Sequence, residues 1–134
     1  MNKMPVIKTV MISILLLVAT VTWAEGVQTV TPDEFFAAFD ASKADGDGVI
    51  IDIRTPGEYD RGHAPGSLNI DYYAPDFADQ LDRLDRSTDY FIYCNSGNRS
   101  GRSLDLFRKL GFESVYDLAG GWSYNSRRLS AIEE

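Results

Sequence analysis

Cysteine and histidine are nearly missing from this chain: among its 134 residues, Cys94 and His63 each stand alone. One cysteine cannot close an intrachain disulfide, so the staples common in small exported domains are excluded. Positive charge is also in short supply. Thirteen basic residues face twenty acidic ones, for a net charge of −7. Such a balance argues against nucleic acid or an anionic membrane as partner. There is no internal repeat, linker or low-complexity segment. The longest apolar run, Val10 to Val21, is short for a membrane span.

That run has another use. Lys3 and Lys8 precede it and Thr22-Trp23-Ala24 follows it, the order of a secretory signal peptide cleaved after Ala24. A retained N-terminal anchor is the alternative; no cysteine lies near the cleavage point, which disfavours a lipoprotein. Residues 1–24 are therefore read as signal peptide and 25–134 as one folded domain, with no membrane contact after cleavage. Cleavage removes two lysines and no acid, leaving 11 basic against 20 acidic groups, a charge of −9. An anion site would have to be a local positive spot in a negative field. A lone thiol in an oxidising compartment is a liability unless it is buried or used.

Strand and helix patterns alternate along the rest. Val27 to Val30 reads as a short strand. Thr31-Pro32-Asp33-Glu34 is a helix start with Thr31 as N-cap, Pro32 at the first helical position and Glu34 closing a capping box. Asp45-Gly46-Asp47-Gly48 ends that unit as a turn; Val49 stands where a calcium loop needs a ligand. Val49 to Ile53 is nearly all apolar, as in a strand buried on both faces. Thr55-Pro56-Gly57-Glu58 begins a short helix ending at Gly62, and Leu68 to Ile70 is a brief strand. Pro75 to Leu84 reads as helix, with Phe77, Leu81 and Leu84 inward and Asp76, Asp79 and Asp82 on a solvated face. Ser114 to Leu118 is a further strand, and Gly120-Gly121-Trp122 opens a last helix. The expected class is α/β, with a central parallel sheet of about five short strands flanked by helices.

The most informative stretch is Tyr90 to Leu110. An apolar strand, Tyr90 to Tyr93, runs into Cys94; Asn95-Ser96-Gly97-Asn98-Arg99-Ser100 follows; then Leu104, Phe107 and Leu110 mark one side of a helix ending at Gly111. A loop folded round Cys94 Sγ can aim backbone N–H groups inward, and the helix adds the positive end of its dipole. Both favour a thiolate and an anion above it. Arg99 adds a planar cationic fork. The plainer reading is a small buried hydrophobe at a strand end. A core strand has no need of Gly97, Arg99 and Ser100, so the reactive cysteine is the stronger reading. It requires amides facing inward and a sulfur that solvent can reach.

Asp52-Ile53-Arg54, Gly62-His63-Ala64-Pro65-Gly66-Ser67, Cys94-Asn95-Ser96-Gly97-Asn98-Arg99-Ser100 and Leu118-Ala119-Gly120-Gly121-Trp122 occur in this order. In that set and spacing the chain resembles the rhodanese homology domain, from about Val27 to Trp122. It looks most like the small exported, phage-shock-type members. The resemblance implies a rhodanese-like fold and a thiosulfate sulfurtransferase of the periplasm. Cys94 would be the sulfur acceptor and pass through a persulfide. Asn95, Ser96, Gly97, Asn98, Arg99 and Ser100 would cradle a small anionic sulfur donor such as thiosulfate. The acceptor would be cyanide, another thiophile or another exported thiol protein. The resemblance implies no metal and no organic cofactor. From Cys94 to Arg99 the loop is C-x4-R. Phosphatases sharing the fold use a longer C-x5-R loop, wide enough for phosphate, so the shorter loop favours a sulfane sulfur. A persulfide relay with little small-molecule turnover is the alternative.

Other residues are weighed beside these. His63 invites a Cys–His dyad, but a hydrogen-bonded structural histidine fits its place better. Arg54 has two open roles: a second anion contact at the pocket mouth, or a partner for Glu58 on the next turn. Asp52 is read as a structural acceptor beneath the loop, Arg102 as a surface charge, and Trp122 as core packing ahead of a place on the pocket rim. Gly97 to Ser103 lacks the lysine and glycine spacing of a nucleotide P-loop. Ala64 stands where that family often has a larger aliphatic.

Overall fold

The computed structural model describes residues 26–134; the expected signal peptide and its cleavage point lie outside the described residues. Five strands, β1 (Val27–Val30), β2 (Gly48–Asp52), β3 (Leu68–Asn69), β4 (Asp89–Tyr93) and β5 (Ser114–Leu118), form one sheet. Its order is β1-β5-β4-β2-β3 and every pairing is parallel. Five helices connect or follow them: α1 (Pro32–Asp45), α2 (Pro56–Asp60), α3 (Phe77–Asp82), α4 (Asn98–Leu110) and α5 (Gly121–Ser130). The α/β class and the five-stranded parallel sheet agree with the sequence pattern. No helix among the described residues is long and apolar enough to cross a membrane.

Side-chain alternation along the strands sorts two cores. Tyr90, Ile92 and Cys94 face one side of β4, where Phe77 and Leu81 of α3 and Leu104 and Phe107 of α4 cover them. Phe91 and Tyr93 face the other side, against Phe35, Phe36 and Phe39 of α1 and Leu129 of α5. A strand sandwiched this way must be apolar on both faces, which is why residues 90–93 show no polar alternation. The two sides differ chemically. Val115 and Asp117 of β5 share the α4 side with Cys94, while Asp52 of β2 shares the α1–α5 side with Tyr93.

Local chemistry sets the helix ends. Thr31 Oγ1 accepts from Glu34 N–H, and the Glu34 carboxylate accepts from Thr31 N–H, completing the capping box. Thr55 Oγ1 does the same for Glu58 N–H at the start of α2. Gly46 and Gly111 close α1 and α4 in the left-handed region. Two expected helices are shorter than the pattern predicted. α3 begins at Phe77 because Pro75 and Asp76 lie in a turn, and α2 stops at Asp60, short of Gly62. Asp76, Asp79 and Asp82 are exposed, on the solvent side.

Candidate active site

In a parallel sheet the carboxyl ends of the strands share one edge, and a site between helices forms there. Here that edge presents Cys94 after β4, Arg54 after β2 and the Gly120-Gly121 pair after β5. β4 lies between β2 and β5, so the three segments converge.

Cys94 stands where an N-cap side chain would. The N-cap of α4 is Gly97, at φ +96°, with no side chain to satisfy the first helical amides. The sulfur takes that place. Gly97 N–H points at Sγ from 3.1 Å and Ser100 N–H from 3.4 Å; the Ser100 hydroxyl is also 3.4 Å away. Three donor-capable groups and the positive end of α4 thus meet one sulfur. Such groups stabilise a negative charge on it. Of the loop amides the resemblance assigned to the sulfur, Gly97 N–H is there and Ser100 N–H joins it. The Asn95, Ser96 and Asn98 side chains are exposed.

The second requirement of a reactive cysteine is not met in this conformation. Cys94 has 0% of its surface exposed, as the core-cysteine reading predicted. Its backbone is pinned as well. Trp122 N–H donates to Cys94 O at 2.8 Å and Ser123 N–H to Asn95 O at 2.9 Å, so the first turn of α5 clamps the start of the loop. The approach is close enough that a Cβ on Gly121 would lie 2.4 Å from Cys94 O. Gly120-Gly121 thus does more than open a helix: it lets α5 meet the loop backbone to backbone.

The arginines separate. Arg99, in the first turn of α4, is partly buried at the loop. Its Nη2 donates to both carboxylate oxygens of Glu58, at 3.2 and 3.0 Å, and its guanidinium stands 5.6 Å from the Tyr73 ring. Arg54 is almost wholly buried, and of its two open roles the pairing with Glu58 is replaced by one with Asp52. Arg54 Nε and Nη2 bind Asp52, with Nη2–Oδ2 at 2.7 Å, and Nη2 also donates to Gly62 O at 2.6 Å. Its guanidinium lies 4.6 Å from the Trp122 ring and 5.5 Å from that of Tyr93. Burial opposes the Arg54 charge, yet Asp52 outweighs it and holds the guanidinium above its ordinary value. Arg54 lines a small cavity with Glu58, Arg61, Gly62, Asn95 and Trp122, but the edge it could offer an anion is largely spent on Asp52 and Gly62.

Asp52 is an acceptor for Arg54 N–H, the Arg54 side chain and the Tyr93 hydroxyl, the last at 2.7 Å. Tyr93 OH in turn accepts Ala64 N–H at 3.0 Å, and burial pushes the phenol well above its usual value. This chain of bonds ties β2, β4 and the His63–Ser67 connection under the site. Ala64 is fully buried in that connection. His63 serves the connection too: its ring stacks on Tyr59 at 3.6 Å, and Nδ1 lies 2.8 Å from Tyr59 O. Among the described residues it makes no hydrogen bond to Cys94, so no Cys–His dyad forms. Arg102 is exposed, and Trp122 is half-buried against the second core. No cluster of three metal-ligating side chains occurs among the described residues.

Two features were not legible in the sequence. One is the Arg99–Glu58 pair, since nothing local links residues so far apart in the chain. The other is Asp117, 1% exposed, on the α4 side of β5. Its Oδ2 accepts from Thr29 Oγ1 at 2.7 Å and its buried Oδ1 has no hydrogen-bond partner. Burial pushes this carboxyl above its ordinary value, against the Ser100 and Thr29 hydroxyls. A charged residue within an otherwise apolar strand was the only signal.

This chain is similar to known proteins. The Rhodanese-like domain family matches residues 31–125. Thiosulfate sulfurtransferase 16, chloroplastic, of Arabidopsis thaliana is 34% identical over 54% of this chain and 69% of its own. The uncharacterized protein YqhL of Bacillus subtilis is 30% identical over 78% of this chain and 77% of its own. Among solved structures, a rhodanese-related protein from Thermoplasma volcanium superposes with a TM-score of 0.61 at 21% identity, covering 75% of this chain and 92% of that one. Since the family match spans both the Asp52–Arg54 segment and the Cys94–Ser100 loop, the chain belongs to the rhodanese-like domain family.

Proposed function

We propose that this protein is a sulfurtransferase that moves a sulfane sulfur from thiosulfate, or a similar small anionic donor, to cyanide or another thiophile. The observation that carries this reading is the pair of backbone donors at Cys94 Sγ, Gly97 N–H and Ser100 N–H, at the N-terminus of α4, with the Ser100 hydroxyl 3.4 Å from the sulfur. Family membership and relatives named as thiosulfate sulfurtransferases support it.

In the first half-reaction the Cys94 thiolate attacks the outer sulfur of thiosulfate. A new S–S bond forms, the sulfur–sulfur bond of the donor breaks, and sulfite leaves with that electron pair. In the second half-reaction cyanide attacks the outer persulfide sulfur. Thiocyanate departs and the Cys94 thiolate returns. No net oxidant or proton is needed. A thiolate meeting a dianion faces like-charge repulsion, which preorganised N–H donors and the α4 dipole offset. Arg99 orients the donor when its fork is available. Because Cys94 is buried, reaction requires the loop rim to part.

Thiocyanate production from thiosulfate and cyanide tests the reading, with Cys94→Ser as control; equal rates from both proteins would sink it. A second reading is a persulfide relay that serves another exported thiol protein and turns over small acceptors poorly; the burial of Cys94 is an obstacle it shares. Mass spectrometry of protein taken from its own compartment separates the two. Extra sulfur on Cys94 with slow cyanide turnover supports the relay, and a bare thiol with fast turnover refutes it. We also place the protein in the periplasm. Recovery of the protein in the cytoplasmic fraction would contradict that, and an intact mass that still includes residues 1–24 would mean the segment is kept as an anchor.

A further inference from the structure

Both arginines nearest the Cys94 loop meet a carboxylate. Arg54 is matched by Asp52, and both are buried. Arg99 is matched by Glu58, and that pair is only partly buried, at 14% and 27% exposure. Glu58 is not a wandering side chain. It sits in the first turn of α2, where its backbone N–H is fixed by the Thr55 hydroxyl at 3.3 Å. Its two oxygens converge on Arg99 Nη2, while Tyr73 stands on the guanidinium from another side. The guanidinium carried by the Cys94 loop on this side therefore has its charge already balanced by the protein's own carboxylate.

We propose that Glu58 is a specificity-determining residue that competes with incoming anions for Arg99, so that the site weighs a reagent's negative charge against an internal carboxylate. The competition is direct. The Arg99 fork suits oxyanions, and a donor gains the Nη2 edge only by displacing Glu58. A neutral reagent has no such exchange to make. Removing the Glu58 charge leaves Arg99, five residues past Cys94 on the same loop, uncompensated, which favours anionic reagents over neutral ones of the same shape. The inference rests on Cys94 being the reacting group, but not on sulfur transfer taking place.

Iodoacetate and iodoacetamide are near-isosteric and differ in charge, so their rates of Cys94 alkylation test it on the full chain. The ratio of the iodoacetate rate to the iodoacetamide rate is the readout, because any general change in Cys94 reactivity cancels. In Glu58→Gln this ratio rises about threefold to tenfold over wild type at low salt, the scale of a partly screened ion pair. The rise shrinks as ionic strength increases. It disappears when Arg99→Gln is added. The KM for thiosulfate falls in Glu58→Gln in parallel.

An unchanged ratio in folded Glu58→Gln overturns the proposal. A rise that survives Arg99→Gln also overturns it, since the effect then bypasses Arg99. Should Glu58→Gln fold poorly, Glu58→Asp draws the carboxylate back from Arg99 and gives the same ratio test. The outcomes separate this inference from the function above. An unchanged ratio with normal thiocyanate production defeats only the role of Glu58. A shifted ratio with no thiocyanate production defeats only sulfur transfer. Failure of both reagents to label Cys94 defeats the role of Glu58, and with no thiocyanate production it defeats both.

Discussion

Gly120 and Gly121 are adjacent, both have positive φ, and alanine at each should have unequal effects. At Gly121, φ is +55°, and a Cβ would lie 2.4 Å from Cys94 O and 2.8 Å from Asn95 O. Those oxygens belong to backbone held by Trp122 N–H at 2.8 Å and Ser123 N–H at 2.9 Å, so neither can yield without breaking a bond. A left-handed alanine costs about 1–2 kcal/mol. Two weakened backbone hydrogen bonds add about 0.5–1.5 kcal/mol each. Gly121→Ala should therefore lose about 2–5 kcal/mol.

At Gly120, φ is +79°, and the nearest atoms to a Cβ belong to the Tyr124 side chain, at 3.1 and 3.3 Å. Tyr124 is 85% exposed and its ring can swing into solvent. That leaves the backbone cost, about 1–2 kcal/mol, and a tight 3.3 Å contact with Tyr124 Cβ, with no backbone hydrogen bond broken. Urea denaturation of the two variants and wild type measures both losses, with the m-value checking that two-state behaviour holds. If Gly121→Ala loses no more than Gly120→Ala, the clamp of α5 on the loop is wrong.

Three further substitutions probe other parts of the structure. Gly97→Ala forces alanine to φ +96° and disturbs the N–H aimed at Cys94 Sγ; stability falls by about 1–2 kcal/mol, and iodoacetamide labelling of Cys94 at neutral pH slows. Labelling as fast as wild type would remove Gly97 N–H from the sulfur's support. Arg54→Met strands the buried Asp52 carboxylate; a loss of about 3–5 kcal/mol in urea is expected, and a loss below about 1 kcal/mol would mean water compensates it. Asp117→Asn tests the raised carboxyl beneath α4. Its ordinary value is 3.8, and burial raises it in the folded protein. The group's stabilising contribution is thus complete below pH 3.8 and is lost as pH climbs through the higher folded value. Asn cannot ionise, so the stability of Asp117→Asn relative to wild type should improve between pH 4 and pH 7 in urea melts. A difference that stays flat, or moves the other way, contradicts this assignment.

Much of the architecture was readable from local pattern. The capping box at Thr31 and Glu34, the left-handed Gly111 after α4 and the span of β5 depend on residues close in sequence, and each is found as read. The nearly unbroken apolar runs of β2 and β4 announced a sheet covered on both faces. Boundaries shifted where the pattern was weakest, as at Pro75-Asp76, where a turn takes residues that helical spacing had claimed for α3. The Cys94 loop was visible because its glycine, arginine and serine serve no core strand. Its amides are aimed by local geometry, since Gly97 and Ser100 lie within six residues of the sulfur.

The pairing of charges was a different matter. Glu58 follows Arg54 closely and was one of two roles open to it, yet Asp52 holds Arg54 and Glu58 reaches Arg99, 41 residues away. The depth of Cys94, the approach of α5 at Gly121 and the burial of Asp117 were hidden for the same reason. A sequence determines its own periodicity, caps and turns, because those forces act between neighbours along the chain. Which carboxylate meets which guanidinium, and whether a sulfur meets solvent, depends on how strands order themselves in the sheet. That ordering brings together groups with no local bias toward one another, and only the folded molecule decides it.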